Sequence, residues 1–225
     1  AGKSELVFSV GRNASMSTKF GDRTRMTAVH EAVRAVVMDN QNNVNFAYQD
    51  FPSSVSCGNA GGCCAKTGAY LAMRNYQAID TATRQCEGSP ECVSQSDSRP
   101  IAEALRSLID FSTTSQPILG GPARGERYVV LMVDGPPSCS PDDANTSCEK
   151  ASGWAGTLSV QDINVIVVPI GDTADGSECL RRLPGTPAAS FSYPARDPGM
   201  LMESLTRIVK KAADVEADDM ILDIG

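Results

Sequence analysis

The chain has a single histidine, His30, and lacks any Cys-x-x-Cys pair; its longest apolar stretches run only six to eight residues. Each absence excludes something. No stretch is long enough to span a bilayer as a helix. Without paired thiols beside histidines, a structural zinc site has no ligand pattern. Basic charge is scarce as well: the net charge is -7 and the pI near 4.8, which disfavours a nucleic-acid backbone as partner. No phosphate loop, nucleophile-base pair or paired-acid motif is recognisable, so an enzyme is not expected. There is no internal repeat and no long linker, and 225 residues suffice for one domain with a full core. No signal peptide is recognisable, and Ala1 stands close to the first strand, as in a mature or trimmed chain.

What the chain does have is eight cysteines: Cys57, Cys63, Cys64, Cys86, Cys92, Cys139, Cys148 and Cys179. All fall in stretches rich in Gly, Ser and Pro, outside the expected strands and helix cores. An even number in such places reads as a disulfide framework in an oxidising compartment: extracellular, cell-surface or periplasmic. Loop closure favours Cys86 with Cys92 and Cys139 with Cys148. The adjacent Cys63 and Cys64 need separate partners, for which Cys57 and Cys179 are candidates.

Hydrophobic patterning alternates between short strands and amphipathic helices. Strands are expected at Glu5–Val10, Val44–Phe51, Tyr128–Val133 and Ile163–Ile170, with a small edge strand at Phe191–Tyr193. The Val44–Phe51 alternation suits a strand nearer a sheet edge. Helices are expected over Arg23–Asp39, from Pro100, near 151–161, around Leu180–Leu183 and from Asp197-Pro198. In that last helix Leu201, Leu205, Ile208 and Ala212 form one stripe. Residues 68–84 carry a weak signal for a short helix or strand, and Met220–Ile224 for a final strand or tail. The order implies an α/β fold, Rossmann-like, with a central mostly parallel sheet covered by helices on both faces.

Tyr128–Val133 is an unbroken apolar run ending on Asp134-Gly135, so a carboxylate leaves the sheet at the carboxyl end of a buried strand. Ligands of open α/β sheets bind along that edge. The loops after Val10, Phe51 and Ile170 open on the same side.

The segment Val10-Gly11-Arg12-Asn13-Ala14-Ser15-Met16 after the first strand and Val133-Asp134-Gly135 after a central one resemble a von Willebrand factor type A domain. The likeness is to the disulfide-rich bacterial surface forms, such as those of myxobacterial adhesins. It covers about residues 5–212, leaving 213–225 as an extension or extra strand. Phe20-Gly21 before Arg25, Asn45-Phe46 through Phe51-Pro52, and Pro194–Pro198 also fit. The resemblance implies an adhesion site in which D-x-S-x-S, a Thr and an Asp hold a divalent cation through oxygen ligands.

This sequence departs from that pattern. Gly11 stands at the first Asp, Asn13 at the first Ser, and Arg99-Pro100 at the Thr-Pro; Ser15 and Asp134 are retained. A guanidinium has donors and no acceptor, so the expectation is that Arg99 takes the cation's place and pairs with Asp134. Magnesium or calcium is disfavoured as a cofactor; any ion would fall to Asn13, Ser15 and Asp134. The expected ligand-binding edge is therefore Gly11, Asn13, Ser15, Arg99 and Asp134.

Two non-enzymatic functions follow from the resemblance. One is a secreted or cell-surface module that binds a protein or surface ligand through residues 11–22, 52–66, 97–100 and 134–148. The other is a structural domain of a larger envelope, pilus or motility assembly. His30 is expected as a half-buried packing residue on the first helix, the Asp142, Asp143, Glu149 group as a solvated acidic loop, and Trp154 as core or surface anchor.

Overall fold

A computed structural model describes residues 2–53, 65–90, 92–112, 116–139, 141–172, 177–183, 193 and 195–221. At its centre is β1 (Glu5–Gly11), every residue of which is buried. After it come a 3-10 turn at Ala14–Ser17 and a small hairpin of β2 (Lys19–Phe20) and β3 (Arg23–Thr24). Gly21 turns the hairpin at φ +67°. This connection is folded, and its Met16 and Phe20 are buried.

β1 pairs in parallel with β4 (Asn45–Phe51) on one side and β6 (Arg127–Val133) on the other. β7 (Ile163–Pro169) extends the sheet beyond β6, also in parallel. Beyond β4 runs β5 (Lys66–Ala72), antiparallel, giving the order β5-β4-β1-β6-β7. Residues 44–51 do lie nearer an edge than β1, one strand in from it, but behind β5 they are wholly buried rather than half solvated. The polar alternation of β4 is satisfied inside. Gln49 Nε2 donates to Ser9 Oγ (2.7 Å) and to the Ala104 carbonyl (3.0 Å), and its Oε1 accepts from Ser107 Oγ.

Alternate strand residues feed two cores. Leu6, Phe8 and Val10 face α1 (Arg25–Asn40), α2 (Tyr76–Glu87) and the last helix, Pro198–Ile221. Val7, Val129 and Leu131 face α3 (Ile101–Ser107) and α4 (Ala144–Val160). Each fully buried Leu, Val or Phe contributes about 1.5–3 kcal/mol, and the two layers fix the sheet beneath its loops. The stripe read from sequence in the last helix, Leu201, Leu205, Ile208 and Ala212, is buried. Asp197 caps the last helix, accepting from the Met200 amide at 2.8 Å.

Several local expectations change. Residues 66–87 form a strand and then a helix, with α2 following β5 directly. α4 begins at Ala144, because Asp143 accepts from the Thr146 amide at 2.7 Å and caps it. Asp143 is thus a cap, and Asp142 pairs with Lys150 at 2.6 Å. The last helix continues through Ile221, where a strand or tail was expected. The edge strand at 191–193 lies largely outside the described residues; nearby, Ala195 bridges to Ile170. Trp154 is partly buried against the α3 side, with the Arg106 guanidinium 5.5 Å from its ring centre.

The disulfides are partly as expected. Cys86 pairs with Cys92, but Cys148 pairs with Cys179, not with Cys139. Cys139 is also disulfide-bonded. Cys148 sits inside α4 and Cys179 in the short helix Glu178–Arg181, so helix placement carries these sulfurs together. Cys57, Cys63 and Cys64 lie outside the described residues.

Candidate functional site

The carboxyl ends of β1, β4, β6 and β7 deliver four loops to one edge of the sheet, and Asp134 stands among them with 2% of its surface exposed. Its carboxylate is fully engaged. Oδ1 accepts from Arg99 Nε at 2.9 Å and from Asn13 Nδ2 at 3.0 Å. Oδ2 accepts from Ser15 Oγ and from Arg25 Nη1, the latter at 3.2 Å. Arg99 Nη2 also reaches Ser15 Oγ at 2.9 Å. Burial by itself would raise the Asp134 carboxyl, but hydrogen bonds from Ser15 and Arg99, the Arg99 charge and the Asn13 amide together hold it below the ordinary carboxylate value.

Local structure places each partner. Asn13 and Ser15 are fixed by the 3-10 turn, where the Met16 amide donates to the Asn13 carbonyl. Arg99 is clamped by a two-way backbone bridge to Ser138, in the loop leaving Asp134 (2.7 and 3.0 Å). The turn before it is tied down by Cys86–Cys92, by the Ser94 amide on the Arg12 carbonyl, and by the Ala14 amide on the Ser96 carbonyl. α3 then starts directly from Pro100.

Gly11 contributes no side chain; a Cβ there would touch the Met132 carbonyl and the Asn13 side chain at 3.4–3.5 Å. Two other glycines make room for the arginines. A Cβ on Gly135 would come within 2.9 Å of Arg99 Nε, and one on Gly171 within 2.7 Å of Arg25 Nη2. Gly171 also has φ +81°, a conformation that L side chains rarely adopt.

Arg25 was not singled out from the sequence, although a signal existed. It is the first residue of α1, where the helix dipole disfavours a cation, so its charge needs a partner elsewhere. The same edge holds a second buried pair, Arg12 with Asp50 at 3.4 Å, also unmarked by sequence. Residues 54–64 of the expected edge lie outside the described residues.

His30 belongs to a different place. It is fully buried, where a half-buried position was expected, beside Tyr48 and Glu87. Its Nε2 lies 3.0 Å from Tyr48 Oη, and Nδ1 lies 3.3 Å from Glu87 Oε1, within ion-pair reach though not aligned as a hydrogen bond. Arg34 Nη1 donates to the same Glu87 oxygen at 2.9 Å. His30 and the sulfurs of Cys86 and Cys92 lie within 4.8 Å of one another. Those sulfurs are joined to each other and offer no thiolate, so the trio is not a metal centre.

The Asp134 cluster fits a hard divalent cation poorly. Such an ion needs several oxygen ligands in near-octahedral array. Here the single central carboxylate has donors on both oxygens, and two guanidinia stand where a cation would meet charge repulsion.

No protein-family model matches the sequence, and no curated protein does. Solved structures match the fold. The pilus adhesin SpaC of Lactobacillus rhamnosus GG superposes with a TM-score of 0.68 at 14% identity, over 95% of this chain and 31% of that one. Proximal thread matrix protein 1 of the mussel byssus, in a form whose MIDAS motif is occupied by zinc, gives 0.64 at 15%, over 94% and 48%. The manganese-loaded TRAP protein of Plasmodium vivax gives 0.60 at 13%, over 92% and 73%. The chain thus spans about a third to a half of the first two. At these identities the likeness is one of fold: a Rossmann-like type A sheet with helices on both faces.

Proposed function

We propose that this chain is a protein-interaction module of the adhesive kind, working outside the cytosol at a cell surface or in an envelope assembly. Its partner docks on the loops at the carboxyl edge of the sheet, with no divalent ion as anchor. The observation that carries this reading is the Arg99–Asp134 pair at the centre of that edge. A buried carboxylate bound by two guanidinia is neither a metal ligand set nor a free base, because its oxygens are occupied and its charge is held ionised. That also supports a non-enzymatic role: among the described residues Ser15 has no available base beside it.

The fold likeness to a pilus adhesin supports the adhesive character, and the disulfides support an oxidising compartment. The nearer resemblance to disulfide-rich bacterial surface domains is part of the same proposal.

Affinity capture from a native cell envelope, with wild-type chain and Arg99→Glu, tests the edge. Loss of one specific partner with the variant is expected; an unchanged partner set overturns the reading. Capture repeated in a chelator such as EDTA tests the metal clause: retention is expected, and loss restored by magnesium or manganese overturns it.

A further inference from the structure

Away from the Asp134 edge, His30, Cys86 and Cys92 bring one ring nitrogen and two sulfurs within 4.8 Å of one another. His30 is fully buried in α1, and the cysteines are partly buried at the end of α2 and in the turn after it. Joined as a disulfide, the sulfurs cannot ligate a metal. The same chain with these thiols unoxidised is a different case. Two cysteines six positions apart, with a histidine far upstream, form no zinc pattern in sequence. The packing of α1 against α2 creates the grouping.

His30 is already set as a ligand. Its Nε2 lies 3.0 Å from Tyr48 Oη, and with the ring hydrogen on that nitrogen the Nδ1 lone pair is free. Nδ1 is buried and has no aligned hydrogen-bond partner among the described residues. Metal-binding histidines are held in this way, with one nitrogen bonded to a neighbouring group and the other on the metal. Glu87 Oε1, 3.3 Å from Nδ1, is an oxygen at hand for the fourth place of a tetrahedron. Thiolate and imidazole donors suit zinc, and not magnesium or calcium. The charges match as well. Two thiolates and Glu87 bring three negative charges; a divalent ion and Arg34, which donates to Glu87 at 2.9 Å, bring three positive ones. Asp80 beside them is paired with Arg84 at 2.8 Å.

We infer that, before these thiols are oxidised, Cys86, Cys92 and His30 bind one zinc ion, with Glu87 completing the set. Each thiol gives up its proton as its sulfur binds the metal. A disulfide-forming oxidant then removes two electrons from the two sulfurs, joins them and releases the ion. A dithiol reverses that step: it closes to its own disulfide and passes two electrons and two protons to Cys86 and Cys92. The turn that leads from α2 to Arg99 is therefore cross-linked in both states, by the metal first and by the S–S bond afterwards. Nothing in this site depends on what docks at the Asp134 edge.

The test uses the full chain in two preparations, one with disulfides intact and one reduced by a dithiol that is then removed without air. The probe is Co2+ alone, followed by Zn2+. The reduced chain should show the visible bands of tetrahedral cobalt with a thiolate charge-transfer band, both bleached by zinc; the intact chain should show neither. The remaining cysteines are controlled by the double variant Cys86→Ser with Cys92→Ser, which should bind one metal equivalent fewer. Alkylation of the reduced chain, mapped by mass spectrometry, should find Cys86 and Cys92 protected by zinc, and His30→Gln should abolish that protection. If His30→Gln does not fold, Tyr48→Phe takes its place: it keeps the ligand, frees its ring and should weaken zinc binding roughly tenfold. Equal metal uptake by the double serine variant, thiolate-cobalt bands in the intact chain, alkylation of Cys86 and Cys92 unaffected by zinc, or protection unaltered in the histidine or tyrosine variant would each overturn the inference. A reduced chain that stays unfolded when zinc is added overturns it as well.

Discussion

The Arg99 guanidinium lies directly over Gly135, so close that a Cβ there would stand 2.9 Å from Nε. The residue after the central aspartate therefore decides whether the arginine lies flat against it. A side chain at 135 would meet the far part of a flexible arginine, not backbone, so the sheet itself has no need to move.

Gly135→Ala is accordingly expected to fold normally, with stability within about 1 kcal/mol of wild type. It should displace the guanidinium from Asp134, seen as a changed Arg99 Nε–H resonance or a broken contact in a crystal structure. Gly171→Ala should be worse, because it both crowds Arg25 and forces a side chain into φ +81°; about 1–3 kcal/mol of destabilisation is expected by urea unfolding.

Asp134→Ala removes the counter-ion from two partly buried arginines. Breaking a buried pair from one side costs about 3–5 kcal/mol, and the partial exposure of these arginines reduces that to roughly 2–4 kcal/mol. Adding Arg99→Gln to Asp134→Ala should restore part of the loss, since one of the like charges is then gone. A double variant no more stable than Asp134→Ala alone would show that charge is not the cause.

The lowered Asp134 carboxyl links stability to pH. Its folded value lies below its unfolded one, so as pH falls the unfolded chain takes up the proton first. The stabilisation is fully present above the unfolded value, about pH 4, and is lost as pH drops through the folded value. Urea unfolding between pH 7 and 3 should show a steeper loss of stability at the acid end for wild type than for Asp134→Asn. Equal slopes would place the acid sensitivity elsewhere.

The two described disulfides close loops of different length, 6 and 31 residues apart in sequence. Chain entropy then predicts about 2 kcal/mol for Cys86–Cys92 and about 4 kcal/mol for Cys148–Cys179 when each pair is replaced by serine. The smaller loss should carry the larger functional effect, because Cys86–Cys92 ties down the turn that leads to Arg99. Unfolding curves together with the partner-capture assay separate the two effects.

Much of the fold was legible because it is written locally. The runs at Glu5–Val10, Tyr128–Val133 and Ile163–Ile170 and the stripe at Leu201, Leu205, Ile208 and Ala212 are periodic signals that neighbouring residues carry alone. The alternation in β4 suggests a solvated polar face. That face is buried, with Gln49 matched to Ser9, Ala104 and Ser107, and β5 covers its far side. Closeness in sequence favours Cys139 for Cys148, but a helix begins at Ala144 and turns the sulfur toward the chain near 179.

By itself, then, the sequence determined an oxidised α/β chain with an aspartate at the carboxyl end of a buried strand and an arginine where a ligating hydroxyl was expected. Only the tertiary structure decided that Arg25, 109 positions away in the chain, shares that aspartate, and that glycines 135 and 171 lie against both guanidinia. The reason is physical: strand and helix periodicity depend on neighbouring residues, whereas charge pairing depends on distance in space, which only the assembled sheet edge sets.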